Sequence, residues 1–127
     1  MDISKYTEDS SSNIQKWKLI ENFFETNFTD GEKPDLDTIL FLIGVQELGQ
    51  GKKKFQKDEK LNLLHIAVCR VLEPFGFYRF DGQDPDGWPH FELLEELPPL
   101  KTNEQSLLMK YAVIQYFDDQ KIINFES

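Results

Sequence analysis

The sequence predicts a mainly α protein: about four helices around a buried central helix pair, with a small β-hairpin between helices three and four. Three observations predict this. Residues 39–45 and 61–69 are apolar on most sides, so helices built on them need neighbours to cover them. The segments on either side repeat apolar residues at three- and four-residue steps. From Phe77 the period changes to an aromatic, strand-like run.

Residues 1–12 are polar and close on Ser10, Ser11 and Ser12, the composition of a flexible leader. Ser12 or Asn13 caps the first helix, which runs to about Phe28 on Ile14, Trp17, Ile20, Phe24 and Phe28. Asp35 is the expected N-cap of the second helix, which ends at Leu48, with Gly49 just past it. Gly44 inside that helix costs roughly 1 kcal/mol against Ala, and a close helix crossing would account for it. Residues 50–56 form a lysine-bearing loop, and the third helix follows over about residues 58–73. Asp58 and Glu59 suit its first turn, Arg70 its last, and Pro74 stops it.

Residues 77–93 read as a hairpin turning through 82–87, with Pro89 confining its strand to an edge. Thr102 and Gln105 fit a capping box for the fourth helix, expected over about residues 103–117. The tail keeps Ile122, Ile123 and Phe125, too apolar for a plain disordered end, and the sequence leaves open whether it docks.

At 127 residues the chain suits a single domain, 1–127, with eleven Phe and two Trp for a core. One cysteine, Cys69, excludes an internal disulfide and suits a reducing compartment. The start has no signal-like apolar run, and residues 39–45 are too few to span a bilayer, so a cytoplasmic location is expected. The net charge of −9 argues against nucleic acid and anionic membrane as partners.

Residues 41–49, 64–70 and the run Asp86-Gly87-Trp88-Pro89-His90 resemble a family of small uncharacterised bacterial proteins. The likeness spans roughly residues 36–117 and implies no particular chemistry.

Each candidate site competes with a plainer reading. Gly49 to Lys54 suggests a phosphate loop, but Gln50 stands where lysine is needed and a helix precedes it; a solvated turn is the better reading. Asp81, Asp84, Asp86 and Gly87 hint at a calcium loop, yet Gly82 and Leu93 fall at the first and last ligand positions, leaving an ordinary turn. His65 and Cys69, four apart, can share a metal ion, with His90 as third ligand; the plainer reading packs both in the core. Gln46 or Glu47 would need a partner if turned inward. Trp88 either closes the core or anchors a contact.

The leading functional expectation is therefore a non-catalytic domain acting through protein–protein contact or self-association. Asp84, Asp86, Trp88 and His90 at the hairpin tip would form its contact surface. No catalytic constellation or cofactor is expected. The alternative is a metal-binding protein or enzyme using His65, Cys69 and His90.

Overall fold

The structure, a computed structural model, describes residues 11–29, 31–49 and 54–125. The expectations for residues 1–10 of the leader and 50–53 of the lysine loop lie outside the described residues. Among the described residues the chain forms α1 (Ser11–Asn27), α2 (Leu36–Leu48), α3 (Lys57–Leu72), β1 (Tyr78–Gln83), β2 (Pro89–Leu93) and α4 (Thr102–Asp119). The protein is mainly α, with 61% of the described residues helical and a two-strand antiparallel hairpin between the third and fourth helices. No helix among the described residues is long and apolar enough to cross a membrane.

The contacts of the chain gather into two compact units. Residues 36–98 form a contiguous unit, and residues 1–35 with 99–127 form the other.

In the contiguous unit, α2 lies against α3. Gly44 marks their crossing: a Cβ there would stand 2.8 Å from the Leu63 carbonyl carbon and nearer still to its oxygen. Only hydrogen at that position lets the backbones approach so closely. Leu48, Phe55, Leu63 and Ile66 are buried together, and Phe41, Val45, Trp88 and Phe91 pack against them.

Pro74 does not end the chain's coiling at once. It sits in a 3-10 turn, Glu73–Phe75, closed by Gly76 at φ 87°. Proline is tolerated there because the first residues of such a turn have no intrahelical acceptor for an N–H. The hairpin pairs Tyr78 with Leu93 and Phe80 with Phe91. Its register shifts between Phe80 and Gln83, where β1 carries one residue more than β2 and Gly82 takes φ 93°.

In the other unit, α1 packs against α4, with the Phe24 and Phe117 rings edge to face at 5.6 Å. The cap of α4 falls one residue earlier than expected: the Lys101 N–H donates to Glu104 at 3.0 Å. Gln105 instead donates to the Leu100 carbonyl at 3.0 Å. A carboxylate is the stronger acceptor of the two neighbouring side chains, so Glu104 takes the capping role. The helix ends in a Schellman motif, with Ile122 N–H to Phe117 O and Lys121 N–H to Asp118 O, both 3.1 Å. Lys121 holds the left-handed position at φ 56°. Beyond the helix Ile122, Ile123 and Phe125 are half-buried.

Candidate functional site

The turn between the strands is built by one carboxylate. Asp84 Oδ1 accepts the Asp86 and Trp88 N–H groups, each at 3.0 Å. The Gly87 N–H closes back on the Asp84 carbonyl at 2.9 Å, and Gly87 sits at φ 86°. Asp-Pro-Asp-Gly supplies what this turn demands: an acceptor first, proline next, and glycine where φ is positive. Asp84 Oδ2 is left facing β2, where it meets His90 Nε2 at 3.0 Å. The His90 contact, then the Trp88 and Asp86 N–H groups, hold the Asp84 carboxyl below its ordinary value.

The hairpin is fastened to the helices by Arg70. Its Nε lies 2.5 Å from Glu47 and its NH1 nitrogen 2.6 Å from Glu73. The guanidinium lies over two hairpin rings, 5.1 Å from the Phe80 centroid and 4.9 Å from that of Phe91. Burial alone would lower the Arg70 pKa, but Glu47 and then Glu73 outweigh it, and the group is held above its ordinary value. Glu73 also accepts the Phe80 N–H at 3.0 Å. Glu47 thus turns inward and finds its partner.

With the hairpin so placed, a cleft of about 390 Å³ opens between it and α3. Trp88, His90 and Asp84 line it from the hairpin, and His65, Asn62 and Glu59 from the helix. Trp88 is half-buried: it packs against the core cluster and also walls the cleft, so it is neither wholly core nor wholly exposed. His90 is largely exposed at the rim.

Two residues named from the sequence stay outside. Asp86 is exposed and does not line the cleft, although its N–H helps hold the turn. Cys69 is fully buried beneath it, and burial pushes its thiol up to about 11.

His65 departs from the core reading. The buried stripe of α3 runs through Leu63, Ile66, Ala67 and Cys69, which turns His65 outward to an exposed position. From there its Nε2 reaches forward one helical turn to within 3.5 Å of Cys69 Sγ, and its ring stands edge-on to Tyr78. His65 and Cys69 therefore touch, while His90 is engaged with Asp84. Among the described residues no three His, Cys, Asp or Glu side chains are grouped to hold a metal ion.

Sequence reasoning missed Glu59 and Asn62. The signal was present: with His65 they step along α3 at three-residue intervals, a stripe on one side of the helix. Set beside known proteins, the chain matches no family model, no curated protein and no solved structure.

Proposed function

We propose that this protein is a non-catalytic cytoplasmic domain that acts through protein–protein contact, and that the contact is made at the cleft between α3 and the hairpin. The observation that carries this reading is the convergence of Trp88, His90 and His65 on one open cleft. A half-buried tryptophan flanked by imidazoles and carboxylates offers a partner an apolar surface and polar atoms to fix its orientation. The Arg70 clamp supports it, because a hairpin tied to two helices presents those groups with little ordering left to lose on binding.

The alternative, metal binding or catalysis through His65, Cys69 and His90, is less well supported. Cys69 is fully buried while His90 is largely exposed at the rim, and among the described residues no three His, Cys, Asp or Glu side chains gather at one point. Desolvation also raises the Cys69 thiol, which disfavours a free thiolate nucleophile.

The test is a pair of cleft variants, Asn62→Arg and His90→Ala, both at exposed positions. Crosslinking with the purified wild-type protein as bait identifies the partner, or a second copy, which is then measured against each variant. Both variants should keep the wild-type melting temperature and lose affinity by about tenfold or more. Unchanged affinity in both, with the fold intact, would sink the cleft as the contact surface. Stoichiometric zinc in the purified protein, lost on Cys69→Ala, would favour the alternative.

A further inference from the structure

Between α1 and α4, in the unit built from both ends of the chain, lies a groove of about 260 Å³. Trp17, Leu107 and Ile114 give it an apolar lining. Three lysines from three segments surround that lining: Lys18 on α1, Lys33 on the loop after it, and Lys110 on α4. Among the described residues Glu21 is the one acid that lines it, and it lies 3.6 Å from Lys33. The Lys110 ammonium stands 5.4 Å from the centroid of the Trp17 ring.

This charge runs against the rest of the molecule. The chain carries 23 acidic and 14 basic residues, yet here three cations gather around apolar side chains with one acid among them. An anionic head group gains charge-assisted contacts with such lysines, while an apolar tail leaves water on the surface beside them. The volume falls below the roughly 300–1,000 Å³ of pockets for drug-sized ligands, which limits the guest to something small.

We propose that this groove binds a small anionic amphiphile, a monomeric carboxylate with an unbranched apolar tail, its acid group against Lys18 and Lys110 and its tail along Trp17. The site is separate from the hairpin cleft and does not depend on the contact made there.

Trp17 reports on its own groove. The chain has two tryptophans, so Trp88→Phe leaves Trp17 as the sole emitter. The full-length Trp88→Phe protein is titrated with decanoate, decanol and decyltrimethylammonium while Trp17 emission is read. Decanoate should saturate the signal at a concentration about tenfold below the other two, and added salt should weaken it. Lys18→Glu combined with Lys110→Glu should weaken decanoate by tenfold or more and improve the cation. Equal binding of all three probes would overturn the proposal, as would decanoate affinity that survives the charge reversal. Binding to phosphatidylglycerol vesicles without binding of monomeric decanoate would overturn it too, since the site would then be a membrane surface. If the double variant loses its far-ultraviolet helical signal, Lys18→Ala and the salt series decide. Decanoate affinity indifferent to both overturns the proposal.

Discussion

Gly44 and Cys69 show how single atoms set limits on this fold. Replacing Gly44 by Ala ought to help, since a helix interior favours Ala by about 1 kcal/mol. Here the added methyl meets the Leu63 backbone, which cannot rotate away as a side chain could. Overpacking of this kind costs roughly 1–3 kcal/mol, so Gly44→Ala should destabilise the protein on balance, as a denaturant melt will show. Greater stability in the variant would mean that α2 and α3 can part at no cost. Cys69 sets a limit on pH. Its thiol is raised from 9.0 to about 11 in the folded state, so the unfolded chain ionises first as pH climbs. The stabilisation is whole below about pH 9 and is lost between there and 11. Wild-type stability should fall across that window by on the order of 2 kcal/mol more than that of Cys69→Ala, measured by urea melts at pH 8 and 10.5.

At the scale of elements, Arg70 is what joins hairpin to helices, and its worth can be set against a neighbour. Arg79 and Glu92 also form an ion pair across the strands, but both side chains are about half exposed or more. Such pairs contribute 0–1 kcal/mol. The Arg70–Glu47 pair keeps only 23% and 15% of its side-chain surface, and removing the cation takes a charge-assisted partner from a mostly buried carboxylate. Arg70→Ala should therefore cost about 2–3 kcal/mol and disturb the near-ultraviolet signal of Trp88, whereas Arg79→Ala should barely register. A similar cost for both would show that the clamp is no stronger than a surface contact. The helices, the hairpin and the Gly44 crossing were legible in the sequence because each is written within a few neighbouring residues. The clamp was not, because Glu47 and Arg70 stand 23 positions apart with no period linking them. The outward turn of His65 escaped notice for another reason. With Leu61, Leu64 and Val68 around it, α3 has apolar residues on more than one side, and only packing selects Leu63, Ile66 and Cys69 as the buried ones.

Across the whole molecule, the division into two units makes a prediction of its own. The unit of residues 36–98 is one uninterrupted stretch holding the α2–α3 crossing, the clamp and the hairpin. A peptide of those residues should keep helical circular dichroism and a Trp88 emission close to that of the full chain. A fragment of residues 1–35 alone should not, since α1 finds α4 only from the far end of the sequence. A disordered 36–98 peptide would show that the contiguous unit depends on the rest of the chain.

That same arrangement has a consequence in time. During synthesis α2, α3 and the hairpin leave the ribosome together, so their contacts close over short loops at small entropic cost. Trp17, Ile20 and Phe24 emerge earlier still, but their partners in α4 are translated last. The greasy side of α1 must wait through the making of about ninety residues before Phe117 arrives to cover Phe24. Late in that interval the apolar side of α1 is without its partner helix, although every residue of the contiguous unit has already been made.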